Sequence, residues 1–129
     1  MVEFALVLPI FLLIVMATVD FGWALRGYIS STNAAREGAR LGVTGASVSA
    51  IKERTVSRSG GTLKTSDVKV CTGTTCDGGL TSTDTSVVIV EATYEYKFIT
   101  PLGGLMKLVS GGTVPDPLPL STSTTMRLE

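Results

Sequence analysis

Histidine is missing from all 129 residues. It is the side chain used most often for proton transfer near neutral pH and the commonest metal ligand, so its absence weighs against an enzyme and against a metal centre. Charge imbalance is missing too: eleven basic and eleven acidic residues cancel, leaving no large field to draw in nucleic acid. Only two cysteines occur, too few for a structural zinc site, which needs four ligands. No nucleophile–base pair, metal cluster or phosphate loop can be picked out. "SGGT" at Ser59 and "GGTV" at Gly111 are ordinary glycine turns. Neither a catalytic residue nor a cofactor is expected. No repeat of solenoid length is visible. The last absence is local: residues 4–19 carry no charge, and no Lys or Arg stands before them. A cleaved secretory signal needs a basic leader and a small-residue cleavage site, and "VDFGW" is a poor one, so the segment is expected to be retained.

That uncharged run is also the most informative feature present. Helical residues 4–19 cover about 24 Å, and continuation to Leu25 gives about 33 Å, enough for a hydrocarbon core of about 30 Å. Asp20 then falls near one interface, with Trp23 and Tyr28 as the amphipathic aromatics expected there. Pro9 costs least if the helix begins close before it. A membrane helix is preferred over a buried helix of a soluble core because of the length and the charge-free interior. Membrane lipid is thus the first partner implied.

The helical pattern continues through "ISSTNAAREGARLG". Gly27, Ser31, Ala35 and Ala39 form one i, i+4 row, and Ser30, Ala34, Gly38 and Gly42 form the next. Asn33, Arg36, Glu37 and Arg40 fall on the opposite side. Small-xxx-small rows let helix backbones approach closely. Two readings fit: the small face packs on the chain's own globular domain, or it packs on helices of other subunits, and both can hold at different heights along one long helix.

The domain boundary is expected at residue 45, giving a membrane and stalk helix over 1–45 and an α+β domain over 46–129. Residues 47–58 show Val48, Ile51 and Thr55 at helical spacing. Residues 67–72 predict a strand. "SVVIVEATYEYKFIT" alternates with period two, placing Val88, Val90, Ala92, Tyr94, Tyr96 and Phe98 on one face of a strand that Pro101 ends. "LGGLMKLV" reads as a short helix or an apolar loop. Leu120, Thr122, Thr124, Met126 and Leu128 alternate again, predicting a strand antiparallel to 87–100. The fold class is therefore α+β: a long N-terminal helix, a small antiparallel sheet, and a helix covering its apolar face.

Cys71 and Cys76 are separated by four residues in a Thr/Gly-rich setting, which disagrees with a redox Cys-x-x-Cys at a helix start. A local disulfide is favoured, worth roughly 2 kcal/mol by chain entropy. It requires an oxidising compartment. Topology is contested at this point. Arg26, Arg36 and Arg40 follow the span and no basic residue precedes it, which puts the C-terminal domain in the cytoplasm by the positive-inside rule. The cysteines and the polar loops argue for the opposite side.

The segment "VEFALVLPIFLLIVMATVDFGWAL", with "AAREGARLG" after it, resembles the start of TadE-like proteins, minor pseudopilins of the Tad (Flp, type IVc) pilus system. The resemblance rests on Glu3-Phe4 before an apolar run containing Pro9, on the "DFG" of Asp20 to Gly22, and on Ala34 to Arg40. It is strong over about the first 42 residues and weaker beyond, where "STSTTMRLE" is similar to the family's closing strand. It implies a precursor with a short basic leader cut after a Gly by a prepilin peptidase. The leader and first mature residues would then precede Met1, and the body would face away from the cytoplasm. That eases the topology conflict. It further implies that Glu3 pairs with a neighbouring subunit's terminal amine and sets register between helices, against the plainer role of a carboxylate at the positive end of a helix dipole. The partners implied are the Flp-type major pilin, a TadF-type pseudopilin, the inner-membrane platform and the peptidase, with no nucleic acid. A type II secretion pseudopilin, or a membrane-anchored adhesion module, is the alternative.

Overall fold

The computed structural model describes residues 2–128. Helix α1 spans Val2–Val43, and helix α2, Val48–Arg58, follows after a short turn. Strands β1 (Val68–Thr72), β2 (Thr75–Cys76) and β3 (Val87–Tyr96) come next, then helix α3 (Leu102–Val109) and strand β4 (Leu118–Arg127). The α+β class expected from the sequence is the one found. The strands form one antiparallel sheet in the order β2-β1-β3-β4.

The ends of α2 follow from its flanking serines. Ser47 accepts a hydrogen bond from the Ala50 N–H at its start, and the Ser59 N–H closes its end on the Thr55 and Val56 carbonyls. The face carrying Ile51 and Thr55 is buried, as the spacing predicts. β1 and β3 pair Val68 with Ala92, Val70 with Val90 and Thr72 with Val88, so the apolar parity of both strands falls on one side of the sheet. On the other side Lys69 and Glu91 stand opposite each other.

Two compact units emerge. One comprises Met1–Arg26 and Glu95–Pro119, and the other Gly27–Tyr94 and Leu120–Glu129. α1 itself ends at Val43, while the units divide at residue 26, and the segment after β3 belongs to the first. The main core belongs to the second unit: Ala34, Ala35 and Ala39 of α1, Ile51 of α2, Leu63, Val68 and Val70, and Val88, Val90 and Ala92. In the first unit, Tyr96 and Phe98 meet edge to face with centroids 5.6 Å apart, and Phe98 lies against Gly103, where a Cβ would stand 2.9 Å from it.

Three local features differ from expectation. Pro9 lies well inside α1, not at its first turn. A short strand, β2, forms where a loop was expected; a two-residue turn at Gly73 and Thr74 links it to β1, and Gly73 has φ +57°. β3 stops at Tyr96 and does not run on to residue 100, because Asp20 captures the backbone N–H groups that follow.

Candidate functional site

α1 carries the features that bear on function, and its two parts have opposite surfaces. Glu3 lies exposed in the first turn, with Phe4 71% exposed beside it. Beyond them Leu6, Val7, Ile10, Phe11 and Ile14 are each more than half exposed, although all are large and apolar. This helix is long and apolar enough to cross a membrane. At the far end Arg26 lies 5.1 Å from the Trp23 ring centroid, a cation over an aromatic face of the kind found where a span meets water.

Asp20 interrupts the exposed surface. It is only 3% exposed and accepts hydrogen bonds from the Tyr96 hydroxyl (2.7 Å), the Ile99 N–H (3.0 Å), the Thr100 N–H (3.3 Å) and the Thr100 hydroxyl. A buried carboxylate is costly unless its lone pairs are filled, and four donors from one segment fill them. Thr100 Oγ1 also accepts the Leu102 N–H (3.3 Å), so the same contact fixes the start of α3. Asp20 is therefore an anchor that ties the segment after β3 to α1. Sequence reasoning had placed it at an interface without a partner. The signal that could have found it was a carboxylate closing an apolar run, with Tyr96 and Thr100 closing a distant strand.

From Gly27 onward the helix surface reverses. Gly27, Ser31, Ala34, Ala35, Gly38, Ala39 and Gly42 are all buried. The elements that cover them belong to this chain. A Cβ on Gly27 would collide with the Tyr94 ring, one on Gly38 with Thr55 Oγ1, and one on Gly42 would stand 2.6 Å from Val88. Ser31 donates to the Gly27 carbonyl at 2.9 Å, and Ser30 donates to the Ser59 carbonyl at 2.9 Å. These contacts pack the small-residue rows on the chain's own domain. Arg54 of α2 reaches Glu37 of α1 at 2.9 Å and closes the polar edge of this contact.

The cysteines fall where a cross-strand bond can form. Cys71 and Cys76 are register partners across the β1–β2 hairpin, at disulfide distance with Cα atoms 4.0 Å apart. Next to Cys76, Asp77 forms an ion pair with Lys52 of α2. The Lys52 hydrogen bond and charge hold the Asp77 carboxyl below the ordinary aspartate range. Among the described residues no group of three or more His, Cys, Asp or Glu side chains is placed to hold a metal ion.

Residues 1–40 match the model of the family described as TadE-like protein. The matched stretch holds Glu3, the exposed apolar surface, Asp20 and most of the small buried face. No curated protein and no solved structure matches the chain.

Proposed function

We propose that this chain is a single-pass membrane pseudopilin that takes part in assembly or initiation of a Tad (Flp, type IVc) pilus. One coincidence supports the reading: the TadE-like match and the exposed apolar stretch bounded by Glu3 fall on the same part of α1. The resemblance to TadE-like proteins points to a pilus-associated role. The work assigned to the protein is packing, not catalysis.

In this reading residues 4–25 lie in the inner membrane and the sheet-bearing domain lies outside the cytoplasm, where Cys71 and Cys76 oxidise. The small face of α1 is occupied by the chain's own core, so contact with other helices falls to the large apolar side chains of the span. The partners on that side are the Flp-type major pilin, a TadF-type pseudopilin and the inner-membrane platform. A prepilin peptidase acts on the precursor. Glu3 sits at the membrane edge, where an unpaired carboxylate is costly. Pairing with a subunit's terminal amine relieves that cost and fixes the axial register.

The test is a chromosomal Glu3→Gln substitution in the native host. Pili are expected to be lost or strongly reduced, while the protein stays in the membrane fraction at normal abundance. Normal pili would remove the proposed role of Glu3.

A further inference from the structure

The segment that Asp20 holds has a surface unsuited to water. From residue 98 to residue 120 the only charged side chains are Lys107 and Asp116, and these pair at 3.5 Å. Ile99, Leu105, Met106, Leu108 and Val109 are exposed, the last two by 80% and 82%. α3 is therefore a short helix with a bare apolar face, and its one charge, Lys107 in the last turn, is compensated by Asp116 beyond its end.

Its position says what covers that face. Pro101, Leu102 and Leu105 line a groove of about 250 Å³ together with Pro9, Leu12, Leu13 and Met16 of α1. Those four residues belong to the middle of the apolar run. Pro9 lies eleven residues before Asp20, about 16 Å along the helix axis. Half of a hydrocarbon core is about 15 Å. A segment fixed to Asp20 at the interface and packed against residues 9–16 thus lies at the depth of one leaflet.

Backbone groups inside a bilayer must find partners within the protein, and several groups at the ends of α3 do. The Ser110 N–H bonds to the Met106 carbonyl (2.9 Å), the Gly112 N–H to the Lys107 carbonyl (2.9 Å) and the Thr113 hydroxyl to the Ser110 carbonyl (2.8 Å). At the start, Pro101 has no N–H to satisfy, and the Leu102 N–H is held by Thr100.

We infer that α3 is a second membrane-contacting element: it enters the leaflet on the Asp20 side of the span, with Ile99, Leu108 and Val109 against acyl chains. The inference rests on the reading of residues 4–25 as a membrane span. It adds that the chain returns to the same leaflet after β3, so that Asp20 joins two lipid-facing elements. Lys107 and Asp116 remain paired, so each charge of the segment is compensated by the other.

Trp23 is the only tryptophan, which makes the depth of other positions measurable. Three proteins in a Trp23→Phe background carry Leu108→Trp, Phe11→Trp or Ser49→Trp. Each is reconstituted as the full chain in phosphatidylcholine/phosphatidylglycerol vesicles, with and without lipids brominated on the acyl chains. Phe11 reports the span, and exposed Ser49 on α2 reports the polar domain. Leu108→Trp is expected to emit to the blue of Ser49→Trp and to be quenched by bromine at least twofold more. Val109→Trp repeats the measurement should the first variant misfold. Quenching at Phe11 but not at 108 or 109 overturns the inference and leaves the span intact. Protection of position 108 from aqueous iodide without bromine quenching also overturns it, and shows a protein partner instead. Absence of quenching at Phe11 overturns the span and the inference together.

Discussion

The two parts of α1 are one continuous helix with opposite solutions to packing. Before Arg26 its side chains are large and its surface is bare. From Gly27 its side chains are small on one face and that face is buried. Both parts hold a close neighbour, but by different means. In the first, a single carboxylate gathers four donors from residues 96–100. In the second, removal of side-chain bulk lets Tyr94, Thr55, Ile51 and Val88 come down onto the helix backbone. Apolar bulk is therefore no guide to burial along this helix. Bulk left exposed marks the part long and apolar enough to cross a membrane, and smallness marks the part that lies under a protein core.

The largest expected effect comes from breaking the second part. Gly38→Leu forces a side chain into Thr55 and the Ile51 carbonyl, and such overpacking costs about 3 kcal/mol. Urea unfolding of the full chain in detergent should show the loss. Ile10→Ala, on the bare part, should leave the same transition within about 0.5 kcal/mol, as expected of an exposed position away from packed features. Equal effects at the two sites would erase the distinction between the halves.

Asp20→Ala comes next. It removes the carboxylate that the buried Tyr96 hydroxyl and the part-buried donors of Ile99 and Thr100 share, at a cost of about 2 kcal/mol. The loss should be local. Limited proteolysis in detergent is expected to cut within residues 97–119 much faster than in the parent protein, while the sheet transition moves little. Uniform loss of both would show that the anchor serves the whole fold.

The smallest effect is expected at the hairpin. The Asp77 carboxyl is held low chiefly by the Lys52 hydrogen bond, so its contribution is fully present above the ordinary aspartate value of 3.8 and fades as pH falls through the lower folded-state value. Replacing Asp77 by Asn should remove that slice of the acid sensitivity and lower stability at neutral pH only slightly, since the Asp77 carboxylate is half exposed and screened by solvent. A change at neutral pH as large as that of Gly38→Leu would give this pair a role that its exposure does not suggest.

Much of the architecture was legible in the residue pattern. Period-two alternation placed Val88, Val90 and Ala92 on the inward face of β3, and helical spacing placed Ile51 and Thr55 inward on α2. Both are short-range regularities set by backbone geometry, so a local window contains them. The end of β3 was not legible, because a strand ends where its hydrogen-bonding groups find another acceptor, and here that acceptor is Asp20, 79 residues away from Ile99. β2 was missed for a similar reason: two residues show no period, and only pairing with β1 makes them a strand.

The sequence by itself determined that this chain begins with a helix fit for a bilayer, that an antiparallel sheet follows, and that a strip of small residues must lie close to something. Each follows from composition and spacing along the chain. Only the tertiary structure decided what that something is, where the buried carboxylate finds its donors, and which short helix returns to the side of the span. Those outcomes depend on groups far apart in sequence, and no local pattern records which of several compatible partners folding will bring into contact.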